Sequence, residues 1–213
     1  MATHAALTTQ LTSPRAGESF PHWQEDFLPW RLEKHFLGGN MKTLVAILVP
    51  MLALILSGCV GMPDTVRPVG NFQIERYLGT WYEIARLDHP FERGLSRVSA
   101  EYGLRDDGGV RVVNRGYSAR EEKWKQAEGK AYFVQDPQTG FLKVSFFGPF
   151  YGAYVIFELD PDYRHAVVSG PDTSYLWILA REKRLDEKLK HELVALAAAR
   201  GFDTSGLIFV DHE

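Results

Sequence analysis

Residues 97–118 read RVSAEYGLRDDGGVRVVNRGYS, and they carry the clearest fold signal in the chain. Ala100 and Tyr102 point to one face of the first half, while Glu101 points to the other. Such period-two alternation is typical of a strand with one buried and one wet face. The Asp-Asp-Gly-Gly run at 106–109 suits a tight turn, because glycine readily adopts positive φ. The stretch therefore predicts two antiparallel strands joined by a short connection.

The same alternation of short strand and turn continues along the chain after residue 79. Turn signals such as 136–140 (DPQTG) and 170–172 (GPD) separate runs rich in Val, Ile, Tyr, Phe and Trp. Eight strands are predicted, near residues 80–87, 97–105, 110–118, 125–134, 141–147, 152–159, 163–169 and 175–181. They predict an all-β fold, an eight-stranded antiparallel up-and-down barrel with room for one small ligand. A sandwich with a packed core is the alternative.

A helical period replaces the strand period near the end of the chain. One stripe of apolar side chains comprises Leu185, Leu189, Leu193 and Leu196, and Gly201 stands where a helix stop belongs. One amphipathic C-terminal α-helix is therefore predicted to pack on the outside of the barrel. Residues 207–210 form a short final strand.

The N-terminal part of the chain has the features of an export signal. Met41 and Lys42 precede an uncharged apolar run at 44–56, which is too short for a transmembrane helix. We predict a signal peptide at 41–58. Residues 1–40 contain scattered prolines without periodicity and are predicted to be a disordered upstream extension from a misassigned start.

Residues 56–59, Leu-Ser-Gly-Cys, resemble the bacterial lipobox, in which the cysteine is acylated. Cys59 is the only cysteine, so the chain offers it no disulfide partner. Each buried methylene of an acyl chain contributes about 0.8 kcal/mol, and several chains anchor firmly. Val60 at the next position favours the outer membrane, with the protein facing the periplasm. Residues 59–70 are predicted to be a tether and 71–213 the barrel domain.

Composition and motifs exclude several function classes. The formal net charge of −3 argues against nucleic-acid binding, which needs a basic face. The histidines after residue 59 lack metal-ligand spacing; they are His89, His165, His191 and His212. No nucleophile elbow or phosphate loop occurs. We predict a protein that is not an enzyme and uses no metal or cofactor. The alternatives are a structural envelope protein with a filled barrel and a lipid-modifying enzyme.

Three motifs in order resemble those of the lipocalin family. Gly79-Thr80-Trp81-Tyr82 is similar to the first motif, Asp160-Pro161-Asp162-Tyr163 to the second with Pro161 in place of Thr, and Arg181 to the third. Segments 114–117 and 144–151 resemble the bacterial outer-membrane lipocalin in particular, and the likeness runs from 72 to 210. It implies that Trp81 and Arg181 meet at the closed end of the barrel, a structural contact worth about 0.5–2 kcal/mol. Gly79, Asp162 and Tyr163 belong to the same closed-end motif.

The resemblance also implies binding of a fatty acid or a lysophospholipid. Strand parity points a mostly apolar set into the barrel, namely Ala100, Tyr102, Val112, Ala131, Phe133, Val144, Phe146, Tyr175 and Trp177. Glu83 and Asn114 have the same parity although both are polar. They are predicted to bond each other or water, or to meet a ligand head group, and the alternative is a bulge that turns Glu83 outward.

Trp81 at the closed end places the loops after strands one, three, five and seven at the open end. The loop after the fifth strand holds Phe150 and Tyr151 between glycines. Exposed apolar groups of this kind usually mark contacts. We predict that they flank the entry of the ligand or touch a bilayer, with a homodimer through this patch as the next reading. The alternative is that they fold back onto Pro90 and Phe91.

Overall fold

A computed structural model describes residues 60–213, so the predictions for 1–40, 41–58 and Cys59 lie outside the described residues. The elements in chain order are α1 (Ile74–Tyr77), β1 (Gly79–Arg86), β2 (Leu95–Leu104), β3 (Val110–Ser118), β4 (Lys123–Phe133), β5 (Phe141–Phe147), β6 (Phe150–Leu159), β7 (His165–Ser169), β8 (Leu176–Ala180), α2 (Glu187–Ala199), a 3₁₀ turn (Thr204–Gly206) and β9 (Ile208–Phe209). Among residues 60–213, no helix is both long and apolar enough to cross a bilayer.

The first eight strands close into an antiparallel barrel. Each pairs with the next along the chain, and β1 pairs with both β8 and β2, where Trp81 lies opposite Ala100. The two strands predicted from 97–118 pair with Tyr102 opposite Val112. β9 adds to β1, and the backbone N–H of Arg97 on β2 donates to the carbonyl of Asp211. The prediction of an eight-stranded up-and-down barrel is therefore confirmed.

Four strands begin two residues from their predicted positions, and two of them, β2 and β4, start earlier at Leu95 and Lys123. β6 starts at Phe150 instead of 152, so only Gly148 and Pro149 connect it to β5. β7 starts at His165 instead of 163, because Tyr163 has a φ of 59° and cannot continue an extended strand.

Two apolar clusters lie on opposite sides of the barrel wall. The inner cluster lies inside the barrel and includes Trp81, Tyr102, Ile156 and Val168. The outer cluster joins the barrel wall to α2 through Leu193 and Ala197, which are buried. The predicted position of the helix outside the barrel is confirmed.

The bounds of α2 have local causes. Its N-cap Asp186 accepts hydrogen bonds from the backbone N–H groups of Lys188 and Leu189, which would otherwise lack helical partners. Gly201 follows the helix with a φ of 87°, a conformation that glycine adopts without strain.

The segment before the barrel does not form the free tether predicted for 59–70. Val66 is fully buried, and Val60 and Met62 pack against the outer cluster. The N–H of Val69 donates to the carbonyl of Ile156 over 2.9 Å. These apolar residues bury surface against the barrel, so residues 60–70 form a belt on its outside. The N-terminal end of the described chain is thereby held close to the domain.

Candidate functional site

The closed end of the barrel is built around Trp81 and Arg181. The Trp81 side chain is fully buried, and the Arg181 guanidinium carbon lies 4.1 Å from its ring centroid. Arg181 also donates to the carbonyls of Thr80 and Arg76 over 2.9 and 2.8 Å. The indole N–H of Trp81 donates to the carbonyl of Tyr77. The arrangement seals this end of the barrel and offers no reactive group.

Gly79 and Tyr163 complete the closed end. Gly79 adopts a φ of 89°, and a β-carbon there would lie 3.5 Å from Nη1 of Arg181. The hydroxyl of Tyr163 accepts a hydrogen bond from the N–H of Gln73, and the Arg76 guanidinium lies 4.3 Å from the centroid of its ring. Both residues therefore hold positions that the motif requires for packing.

The second motif uses a different carboxylate from the one predicted. The side chain of Asp162 is 74% exposed, whereas Asp160 is buried. Asp160 accepts bonds from the guanidinium of Arg164 and from the N–H groups of Asp162 and Arg164. These contacts, the guanidinium first, lower the pKa of Asp160 to about 2. Asp160 thus shapes the turn, whereas Asp162, which was predicted to belong to the closed-end motif, has an exposed side chain.

Most of the predicted pocket residues face the interior. Within or against the inner cluster lie Ala100, Tyr102, Val112, Ala131, Phe133, Val144, Phe146 and Trp177. Ala100, Phe133, Val144, Phe146 and Trp177 are only partly buried, although the barrel wall surrounds them. Tyr175 lies beside this set, with its ring stacked 6.2 Å from that of Trp177. The interior is therefore a mostly apolar site with partial access, as small-molecule pockets usually are.

Three tyrosines form a hydrogen-bonded group inside the barrel. The hydroxyl of Tyr154 lies 2.8 Å from that of Tyr77 and 2.7 Å from that of Tyr102. Burial raises the pKa of all three phenols, so they stay neutral. Only Tyr102 was predicted. Tyr77 belongs to α1, outside every predicted strand, and Tyr154 had no assigned face.

A bulge in β1 determines which polar side chains enter the barrel. Glu83 pairs with Leu179 and Ala85 with Ile178, so one residue is extra between them. Ile84 and Ala85 both pack in the outer cluster, and Arg86 therefore turns inward. The bulge follows Glu83 and leaves it inside. The alternative in which a bulge turns Glu83 outward is wrong.

Arg86 ties the end of β1 to the first loop. Its side chain is 2% exposed, and Nη1 contacts Oε1 of Glu83. Nη2 donates to the carbonyls of Glu92 and Leu95 over 3.0 and 3.1 Å. One buried guanidinium thus binds both a strand residue and the loop that crosses the open end.

The carboxylate of Glu92 contacts three further polar side chains. Its Oε2 accepts a hydrogen bond from the indole N–H of Trp177 over 3.1 Å and lies 3.0 Å from Nε2 of His89. Its Oε1 lies 3.5 Å from the amide nitrogen of Asn114. We define the inner polar cluster as Glu83, Arg86, His89, Glu92, Asn114 and Trp177. The predicted polar pair Glu83 and Asn114 thus belongs to one larger group.

The two glutamates of the inner polar cluster differ in acidity. Burial raises the pKa of the Glu83 carboxyl well above its usual value, and the charge of Glu92 raises it further against the opposing effect of Arg86. Burial also acts to raise the pKa of Glu92, but contacts with His89, Glu83 and Trp177 outweigh it and leave that pKa lowered. The surroundings therefore favour the protonated form of Glu83 and the ionised form of Glu92.

Sequence reasoning missed Arg86, His89 and Glu92. Parity counted from Trp81 places Arg86 outside, and only the bulge reverses it. One signal was available, because charged or ionisable residues recur every third position at 83, 86, 89 and 92. That spacing of three matches neither the two-residue repeat of a strand nor the irregular placement of charges that a surface loop has.

At the open end, Phe150 and Tyr151 do not lie together as predicted. Phe150 is 79% exposed and does not fold back, while Phe147 and Phe91 are each 71% exposed. Tyr151 lies on the outer face, where the Nζ of Lys143 is 5.2 Å from its ring centroid and the ring of Tyr132 is 6.4 Å away. Tyr151 therefore does not line the barrel interior, because it holds an outward-facing position in β6, and its contact with a bilayer stays a prediction.

A closed antiparallel barrel with one sealed end and a partly accessible apolar interior defines a barrel for small hydrophobic ligands. Comparison with known proteins gives the family. The profile of the Lipocalin-like domain matches residues 72–212. The chain belongs to the lipocalin family, and within it to the bacterial outer-membrane lipoprotein type. Within residues 60–213, no group of three His, Cys, Asp or Glu side chains could hold a metal ion.

Several relatives have names that state where they reside. The chain is 54% identical over 169 residues to the outer membrane lipoprotein Blc of Vibrio cholerae serotype O1, covering 79% of this chain and 99% of that protein. It is 51% identical over 174 residues to the Blc lipoprotein of Escherichia coli K12, covering 81% and 98%. Both relatives are named as lipoproteins of the outer membrane, which is the location predicted for this chain.

A solved structure supports the fold alone. Insecticyanin from the tobacco hornworm Manduca sexta superposes with a TM-score of 0.57 at 22% identity, covering 72% of this chain and 87% of that one.

Proposed function

We propose that this lipocalin holds a single-chain lipid, a fatty acid or a lysophospholipid, inside its barrel and stores or transports it in the bacterial envelope. One observation carries the proposal. Apolar side chains that face the interior, such as Ala100, Val144 and Phe146, are only partly buried although the barrel wall encloses them. An apolar interior that a solvent molecule can reach suits an acyl chain, which gains about 0.8 kcal/mol for each buried methylene.

The open end supports delivery from a membrane. Phe91, Phe147 and Phe150 are exposed there, and none of them belongs to either apolar cluster. We propose that this aromatic rim contacts lipid while an acylated Cys59 keeps the barrel at the periplasmic side of the outer membrane. Pairing of two rims into a homodimer is the competing use of the same surface.

Binding rather than catalysis is proposed for the interior. The two carboxyl groups that could act as acid and base, on Glu83 and Glu92, contact Arg86 and His89 within the inner polar cluster. A filled, purely structural barrel is disfavoured by the partial exposure of the interior apolar residues.

A pocket-filling variant tests the proposal. Ala100→Trp places an indole in the interior. We expect this variant to bind a fluorescent fatty acid with a Kd at least tenfold higher than that of the parent, a loss of about 1.4 kcal/mol in binding free energy. Ser99→Trp adds the same bulk on the opposite face of the same strand and is expected to bind like the parent. Melting curves check that both variants are folded. Equal affinity of the two variants and the parent for the fluorescent fatty acid would contradict an interior lipid site.

A further inference from the structure

The inner polar cluster contains buried atoms whose hydrogen-bonding capacity is unused. Nε of Arg86, both ring nitrogens of His89 and Oδ1 of Asn114 have no hydrogen-bond partner in the part of the chain that the structure describes. Arg86 and His89 are 1% and 3% exposed. A buried polar atom without a partner costs about 1–3 kcal/mol. Four such atoms in one group indicate a binding site for a polar ligand group.

The charges of the cluster limit which guest can enter. The cluster already sets two carboxyl groups, on Glu83 and Glu92, against one guanidinium, that of Arg86, which contacts Oε1 of Glu83. An entering anion would lie close to the charge of Glu92 in a site with little water. Such a charge is tolerated only when a proton or a cation compensates it.

The groups that face this site come from four strands and one loop. β1 contributes Glu83 and Arg86, the first loop His89 and Glu92, β2 Tyr102, β3 Asn114 and β8 Trp177. The next charges outward are Asp88 and Arg93, which pair with each other at 2.8 Å on the exposed side of the loop. No lysine and no second arginine is among these inward-facing groups, so a proton is the available compensating charge.

We propose that the inner polar cluster is the head-group site of the barrel and that it takes an anionic head group, a carboxylate or a phosphate, together with one proton from solvent. The proposal rests on the proposed lipid-binding function. The head group accepts a hydrogen bond from Nε of Arg86. The proton goes to the His89–Glu92 pair, where a protonated imidazole also donates through Nδ1. With a head group of one negative charge, a carboxylate or a singly ionised phosphate, the site and its guest then gain no net charge.

Proton uptake makes the affinity for anionic lipids depend on pH. Where one proton enters with each ligand, the affinity falls up to tenfold for each unit that the pH rises, since the reaction consumes a proton. An uncharged lipid of the same chain enters without a proton, and its affinity stays constant over the same range. The comparison therefore separates the head-group site from the acyl-chain pocket.

Titration calorimetry of the purified protein tests this directly. Binding of oleate, oleoyl phosphate and monooleoylglycerol is measured at pH 7.5 in two buffers of different ionisation enthalpy, which gives the protons taken up per ligand. We expect about one proton for oleate, between one and two for oleoyl phosphate, which carries close to two negative charges at this pH, and none for monooleoylglycerol. Uptake with only one of the two anions identifies which head group the site accepts, and supports the proposal for that anion.

Matched variants locate the proton. His89→Gln combined with Glu92→Gln is expected to remove at least half of the uptake, whereas His191→Gln with Glu101→Gln, both on the outer surface, leaves it unchanged. If the first pair does not fold, the single variant His89→Gln and the NMR titration of the His89 imidazole with and without oleate serve instead. We expect oleate to move that imidazole toward its protonated chemical shift.

Three results would overturn the proposal. They are binding of both anionic lipids without proton uptake, equal uptake with monooleoylglycerol, and uptake that persists unchanged in the folded cluster variants, which would place the proton on the lipid itself. Failure of all three lipids to bind would reject the proposed function as well. Binding without proton linkage rejects only this inference.

Discussion

Replacing Arg181 with alanine is expected to lower the free energy of unfolding by about 3 kcal/mol. The change removes a guanidinium over the Trp81 ring, worth about 0.5–2 kcal/mol, and its hydrogen bonds to the carbonyls of Thr80 and Arg76, each worth about 1.5–3 kcal/mol if fully buried. Arg181 is partly exposed, which reduces the sum. A domain of this size should lose roughly 6–12 °C in melting temperature.

The control for this variant is Arg120→Ala. Arg120 is exposed in the turn between β3 and β4, and its removal should change stability by less than about 0.5 kcal/mol. The affinity of Arg181→Ala for lipid, measured below its melting temperature, should match that of the parent because the closed end lies away from the mouth. A melting curve equal to that of the parent would contradict the structural role of Arg181.

Changing Cys59 to alanine is expected to release the protein from membranes or to stall its processing. Without a thiol there is no acyl attachment, and one or more acyl chains supply most of the membrane affinity that a lipoprotein has. Fractionation should move the protein out of the membrane pellet, and mass spectrometry of the parent should show a modified Cys59 at the mature N-terminus. Ser57→Ala keeps a small residue before the cysteine and should leave both results unchanged.

The packing of residues 60–70 sharpens this expectation. Val60 and Met62 contact the outer cluster, so an acylated Cys59 would hold the barrel near the bilayer without a long tether. Unmodified Cys59 in protein extracted from membranes would contradict the anchor. Retention of Cys59→Ala in the pellet through the aromatic rim alone would show that the rim binds lipid independently.

The barrel itself could be predicted because strand alternation survives local irregularity. Ala100 and Tyr102 point inward in the structure as their parity predicts, and Asn114 follows because its strand pairs in register with theirs. The inner position of Arg86 could not be predicted in this way. A single bulge after Glu83 reverses the parity of Ala85 and Arg86, and strand alternation alone does not reveal it.

Two further differences from the sequence predictions have comparable local causes. Tyr151 faces outward because the turn before it has only Gly148 and Pro149, so that the strand begins two residues early. Asp160 rather than Asp162 shapes the turn because its carboxylate is placed to accept N–H groups two and four residues ahead. Turn length and turn hydrogen bonds depend on backbone geometry, which motif spacing describes only coarsely.

The central claim is that a single-chain lipid occupies the barrel, and it is tested most directly on protein taken from its own membrane. Native mass spectrometry of gently extracted protein, followed by lipid extraction, measures whether a ligand accompanies it. We predict one single-chain lipid per barrel, lost from Ala100→Trp and retained by Ser99→Trp. Protein that carries no lipid when it is extracted, and that fails to bind a fluorescent fatty acid after purification, would contradict the claim and favour a structural protein.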